Sequence, residues 1–275
     1  MQNQQTPQWL ELFTTAFGAK GLVALAWWAG AYHAERIRNL QGTYPILHVQ
    51  GGAGSGKTTL VSNLWRLSGE PEDTIFQANA TFAALISNLA KAVNRPVVVD
   101  ESERPTPAYE PTFEACYQAG TVLRRWAVMG EPESREVSFR GALAVVGGNH
   151  PVLRSRSIAL DLDHSAHTAD NQAAVKALYA LHISDLSEFL TKVQQHQDMA
   201  VFCMGKAEAL AFELADQVGI DLNIRDARNH AQLIALLDFL DTLFNVPATA
   251  LESAKAEVRR MAWQTVGRTR GPVED

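Results

Sequence analysis

Lys57-Thr58-Thr59 closes a run in which glycine recurs at Gly51, Gly52, Gly54 and Gly56, with Ala53 and Ser55 between them. These residue types at this spacing suit the capture of a polyphosphate. Glycines let the backbone curl until successive N–H groups converge on an anion, where side chains would block the approach. A helix starting at the lysine would add its unpaired N–H groups and positive dipole end. The Lys57 ammonium can reach the β- and γ-phosphates, and the Thr58 hydroxyl can ligate Mg²⁺. Gly51, Gly56, Lys57 and Thr58 satisfy G-x-x-x-x-G-K-[ST], so residues 51–59 read as a phosphate-binding loop for ATP with Mg²⁺. The bland alternative is a glycine turn that only joins strand to helix. The flanks argue against it, because the apolar run Tyr44–Gln50 enters the loop and Leu60–Trp65 leaves it.

Hydrolysis needs more than binding: a metal carboxylate and a group that orients water. The apolar run Pro96-Val-Val-Val ends in Asp100-Glu101, which places Asp100 to hold Mg²⁺ and Glu101 to orient or deprotonate the attacking water. A second apolar run, Ala142–Val146, leads through Gly147-Gly148 to Asn149. At the tip of a strand lying between the two Walker strands, an amide that both donates and accepts could sense the γ-phosphate; an Asn-His-Pro turn is the equal alternative. Arg154 and Arg156 precede the last strand. Either could be an arginine finger reaching a neighbour's phosphate, or a solvated edge residue. Arg124, Arg125 and Arg135 flank Gly130-Glu-Pro in a hairpin-like stretch and could line a nucleic-acid phosphate track, although interspersed glutamates equally suit a solvated face.

The elements that must position these residues follow from periodicity. Residues 8–41 read as two helices broken near Gly18. From Tyr44, strands (45–50, 74–76, 96–100, 142–146, 157–162) alternate with helices (57–67, 81–93), which implies α/β architecture with a parallel sheet. Helical patterns then run near 171–181, 184–197, 205–217, 226–244 and 248–265. The expected organisation is an amino-terminal helical segment (1–43), a P-loop ATPase core (44–165) and a carboxy-terminal helical subdomain (166–275).

Composition narrows the class. At 275 residues and 47% hydrophobic, the chain can bury a substantial core, and a net charge of −6 confines any nucleic-acid surface to a groove. The apolar stretch Gly21–Tyr32 reads as a buried helix rather than a membrane span. Met1–Thr6 carries no basic leader, so a cytoplasmic protein without a membrane partner is expected. Cys116 and Cys203 read as core thiols. His164 and His167, beside Asp161, Asp163 and Asp170, read as an acidic surface loop rather than a metal site. Arg259, Arg260, Arg268 and Arg270 point only weakly to nucleic acid.

Gly51–Thr58, Val97–Glu101 and Phe139-Arg-Gly-Ala-Leu-Ala-Val-Val-Gly-Gly-Asn149-His-Pro151, in this order, resemble the helicase domain of phage and plasmid toprim-type primase-helicases, and more broadly superfamily III helicases. The resemblance spans about residues 8–163. It implies an AAA+-like P-loop core, assembly into a ring, most simply a homo-hexamer, ATP hydrolysis stimulated by single-stranded DNA, and a hairpin that follows that strand. No primase motif is present, so the chain is expected to act with a primase partner or to be a helicase-only protein or domain. An ATP-dependent switch that assembles a protein partner without unwinding DNA is the competing reading. A small-molecule kinase fits the helical tail and the Asn-tipped strand poorly.

Overall fold

The computed structural model describes residues 5–69, 76–77, 82–101, 110–125, 135–148, 153–164, 167–219 and 222–269. In chain order the helices are α1 (Gln8–Ala31), α2 (Ala34–Gln41), α3 (Lys57–Leu67), α4 (Phe82–Lys91) and α5 (Glu110–Gln118). After the last strand come α6 (Ala169–Ala180), α7 (Ile183–Gln195), α8 (Gln197–Met204), α9 (Ala207–Val218), α10 (Ile224–Phe244) and α11 (Ala248–Thr269). The strands are β1 (Ile46–Gln50), β2 (Phe76–Gln77), β3 (Val93–Glu101), β4 (Thr121–Arg125), β5 (Arg135–Ser138), β6 (Arg140–Gly147) and β7 (Ser157–Asp161). β4 and β5 form an antiparallel pair. The other five strands make one sheet in the order β2-β3-β6-β1-β7, with every pairing parallel.

Parallel strands buried on both faces need apolar residues at consecutive positions, and this accounts for the unbroken runs in β3 and β6. Val98, Ala144 and Val146 face a core shared with α1, α3 and the carboxy-terminal helices. Val97, Val99, Leu143 and Val145 face the opposite core, built with Leu85 and Leu89 of α4 and Phe113 and Cys116 of α5. β6 lies between β1 and β3, so the glycine loop after β1 and the acidic pair ending β3 share one edge of the sheet, separated by a single strand.

α1 is broken at Gly18, which takes a non-helical φ of 58° and ψ of −151°. A second break, absent from the sequence pattern, falls at Tyr32-His33, where buried His33 turns inward and donates Nε2–H to the Val193 carbonyl at 2.9 Å. α1 has the length and composition to cross a membrane, yet Leu22 to Ala29 have no solvent exposure inside the protein. The Trp27 indole N–H donates to the Pro45 carbonyl (2.7 Å), Tyr44 Oη donates to the Trp27 carbonyl (2.6 Å), and Trp28 packs edge-on against Trp65 of α3. The second half of α1 is thereby keyed to the entry of β1 and to the helix that leaves the glycine loop. Cys116 and Cys203 are buried free thiols.

Candidate functional site at the carboxyl edge of the sheet

The glycine loop turns directly from β1 into α3. Gly51, Gly54 and Gly56 hold φ of 141°, 74° and 92°, values that side chains resist. At Gly51 a Cβ would stand 2.3 Å from the Leu162 carbonyl oxygen, so glycine is required there for packing as well as for backbone shape. Gly56 is the N-cap of α3 and no side chain caps that end. The first N–H groups of the helix are therefore left for a ligand in the loop, with the positive end of the dipole behind them. Lys57 folds back, and its Nζ donates to the carbonyls of Gly51 (2.8 Å) and Gly52 (2.9 Å). Ser55 is 5% exposed and its Oγ has no hydrogen-bond partner among the described residues. A buried hydroxyl without a partner costs about 1–3 kcal/mol, a penalty that a phosphate oxygen would relieve.

Asp100 stands opposite Val146 of β6, which in turn stands opposite Val49 of β1. Asp100 and the start of the loop are thus level, two strands apart, or about 10 Å at the usual strand spacing. Glu101 pairs with Gly147 one position further toward the edge, placed here by its backbone alone. Gly147 and Gly148 turn β6 with φ of 74° and 68°. Asn149, which follows them, lies outside the described residues. His48, buried in mid-strand, donates Nε2–H to the Gly147 carbonyl (2.8 Å), and Gln50 Nε2 donates to His48 Nδ1 (3.2 Å). Sequence reading passed over His48; its signal was a polar residue inside the apolar run Ile46-Leu-His-Val.

A cavity of about 770 Å³ opens beside the loop. One wall is the break in α1, residues 16–20, and another is α6 with Gln172, Val175 and Lys176. Long-range hydrogen bonds hold these walls in place. Asn171 Nδ2 donates to the carbonyls of Thr15 (3.0 Å) and Ala16 (3.2 Å), groups released by the break at Gly18. Buried Arg66 of α3 donates to the carbonyls of Leu178, Tyr179 and Leu181 and so fastens the far end of α6. Lys20 pairs with Asp163 at 3.0 Å beside the cavity.

Arg154 and Arg156 sit elsewhere. Arg156 immediately precedes β7 at the amino edge, where its carbonyl accepts from Ile46 N–H. The length of the strand, about 16 Å for five residues, separates it from its own chain's glycine loop. Its guanidinium pairs with Glu114 of α5, while Arg154 is exposed. In the β4–β5 hairpin Arg124 stands opposite Glu136 and Arg125 opposite Arg135; the tip lies outside the described residues. In α11 Arg260 is held by Glu257, with Nε to Oε2 at 2.7 Å.

The solved structure of the active helicase SCCmec type IV Cch matches this chain with a TM-score of 0.70 at 14% identity, over 95% of this chain and 50% of that one. The fold is helicase-like. This chain spans about half the length of that helicase. JCV helicase matches at 12% identity over 73% of this chain and 69% of its own, with a TM-score of 0.28. The apo NrS-1 C-terminal region matches at 12% identity over 88% and 68%, with a TM-score of 0.32. No protein-family model and no curated protein matches the sequence.

Proposed function

We propose that this chain is the motor of an ATP-dependent helicase or translocase of the superfamily III type, coupling Mg-ATP hydrolysis to movement on single-stranded DNA in replication of a phage, plasmid or mobile element. The observation that carries the reading is the shared carboxyl edge: an uncapped α3 behind the glycine loop, with Asp100 level with it across one intervening strand. In this reading residues 44–165 are an AAA+-like core, 1–43 a helical segment before it, and 166–275 a helical subdomain. Residues 51–59 hold the triphosphate, and the cavity between the α1 break and α6 takes the nucleoside. Thr58 and Asp100 are the residues that would hold Mg²⁺, whose charge offsets that of the phosphates. Glu101 orients water, and Asn149 contacts the γ-phosphate.

Arg156, or Arg154 beside it, is too far from its own loop and acts on a neighbouring chain in a ring, a hexamer in the simplest form. Arg125 and Arg135 share a register position on the hairpin, and with Arg124 they would contact the DNA backbone. A cytoplasmic setting and a primase partner, separate or fused, belong to the same reading. ATPase assays with and without single-stranded DNA test it. Turnover should rise when the strand is added and fall back at high salt. An ATPase indifferent to DNA would favour the protein-assembly switch.

A further inference from the structure

The turn between β7 and α6 carries two histidines that the reading above leaves without a role. His167 N–H donates to the His164 carbonyl at 3.0 Å, and the two rings meet edge to face with centroids 5.2 Å apart. They stand over the glycine loop. A Cβ built at Gly54 would be 3.5 Å from His164 Cε1, and one built at Gly56 would be 3.6 Å from His167 Nε2. His167 also lines the 770 Å³ cavity together with Ser55, Lys57 and Thr58. Neither ring makes a side-chain hydrogen bond among the described residues, and both are exposed.

Both rings thus stand beside the glycine loop, with His167 at the mouth of its cavity. This is not a metal site: among the described residues no group of three or more His, Cys, Asp or Glu is arranged to hold an ion. The chemistry missing from this spot is an acceptor. The buried Ser55 Oγ lacks a partner, the α3 N–H groups lack a cap, and Lys57 is occupied by the carbonyls of Gly51 and Gly52. A phosphate in the loop would satisfy the Ser55 hydroxyl and the helix N–H groups and offer Lys57 another acceptor, and the imidazole beside Gly56 can supply one further donor from the lining of the same cavity.

We propose that His167 is a phosphate-contacting residue, donating from Nε2 to an oxygen of the nucleotide held by the loop, and that His164 is a positioning residue whose ring fixes the His167 ring. The proposal rests on residues 51–59 being the phosphate loop. It goes beyond that assignment by giving the carboxy-terminal helices a direct contact with the phosphates, since His167 immediately precedes Thr168, the N-cap of α6. Glycine at 54 and 56 is set by φ of 74° and 92°, and a Cβ at either position would only reach van der Waals contact with the imidazoles.

Calorimetric titration of the full chain with ATP and with inorganic tripolyphosphate tests this, using wild type, His167→Ala, His167→Gln, His164→Ala and Lys57→Ala. Both histidines are exposed, so unliganded melting temperatures should match wild type. His167→Ala should weaken both ligands roughly 10- to 100-fold, the range for losing one hydrogen bond to a charged group. His167→Gln, which keeps an N–H donor, should recover part of the loss, and His164→Ala should lose only a few-fold. The ¹⁵N resonance of His167 Nε2 should shift when tripolyphosphate is added to wild type and stay put in Lys57→Ala. A wild type that binds neither ligand would overturn the phosphate-loop reading and this proposal together. Unchanged binding by His167→Ala alongside a defective Lys57→Ala would overturn this proposal alone, as would a loss confined to ATP and absent with tripolyphosphate.

Discussion

At the carboxyl ends of β1 and β3 the chain keeps Ser55 Oγ buried without a partner, leaves α3 uncapped and parks Lys57 on its own loop. At the amino ends of the same strands most polar groups bind one another, although Arg38 Nη1 is also buried without a partner among the described residues. Arg38 donates to the carbonyls of Cys116 (2.8 Å) and Tyr117 (3.4 Å) and lies over the rings of Tyr44 and Phe139. Tyr117 Oη donates to Asn229 Oδ1 at 2.8 Å, and Asn229 Nδ2 donates to the Ser155 carbonyl at 3.2 Å. Buried groups that satisfy each other rigidify a fold, whereas buried groups left unsatisfied are tolerated where a ligand completes them. Polarity alone does not mark the site. What marks it is a buried hydroxyl without a partner set beside an uncapped helix end and a glycine loop.

Arg156, paired with Glu114 at the amino end, offers the largest test of the contrast. As an in-trans finger it should be worth about 10³–10⁵ in turnover, while its loss should barely affect folding, because a partly exposed ion pair such as that with Glu114 is worth about 0–1 kcal/mol. Arg156→Ala should therefore bind ATP normally, turn over poorly, and regain activity when mixed with Lys57→Ala. The same assay on Arg154→Ala decides between the two arginines. ATPase independent of protein concentration, with no rescue on mixing either variant, would make the amino end purely structural.

Arg38 measures that structural role. Burial pulls its guanidinium pKa down to about 10, and its removal would take a 2.8 Å donor from the Cys116 carbonyl and leave a cavity. Arg38→Ala should cost about 3–5 kcal/mol in chemical denaturation and leave nucleotide affinity per folded molecule unchanged. A loss of affinity at native-like stability would blur the contrast between the two ends.

Next to Asn229, His230 is wholly buried, its Nδ1–H donating to the Asp226 carbonyl at 2.7 Å. Burial disfavours the imidazolium and lowers its pKa from 6.5 to about 4. Between those values the unfolded chain binds the proton and the native chain does not. Stability is therefore fully present above 6.5 and is lost as pH falls toward 4, by about 3 kcal/mol at roughly 1.4 kcal/mol per pH unit. Melting curves from pH 7.5 to 5 should show this decline, and His230→Gln should flatten it. An unchanged slope in that variant would assign the acid lability to other groups.

The sequence made the carboxyl end legible because its requirements are local. Glycine spacing and the Lys-Thr pair placed α3 at 57–67, where it is found, and Gly18 marked the break in α1. The hairpin around 121–140 was also readable from two β-prone runs. Two helices were not. α5 begins after Pro-rich residues, and α8 is a short helix with little amphipathic contrast, set off from α7 only at His196. The walls of the cavity were invisible for another reason. Asn171 meets Thr15 and Ala16 across more than 150 residues, and His167 meets Gly56 across more than 100, so no local period records either contact. The partners of Arg38 were hidden in the same way, and only its place in the apolar periodicity of α2 hinted that it was buried.

The most direct test of the carboxyl edge as a nucleotide site is thermal unfolding with and without ATP for wild type, Lys57→Ala and Tyr117→Phe. At a hundredfold excess over Kd, a ligand that binds only the folded state adds about 2.7 kcal/mol, or about 5 °C for a chain of this size. Tyr117→Phe, which loses its hydroxyl bonds to Asn229 and Thr43 at the amino end, should start at a lower melting temperature and gain the same increment as wild type. Lys57→Ala loses two bonds to the loop carbonyls and has its own starting temperature, but from that baseline it should gain nothing. An ATP-dependent rise in Lys57→Ala equal to that of wild type, or its absence in wild type, would contradict the assignment of the phosphate site to this edge.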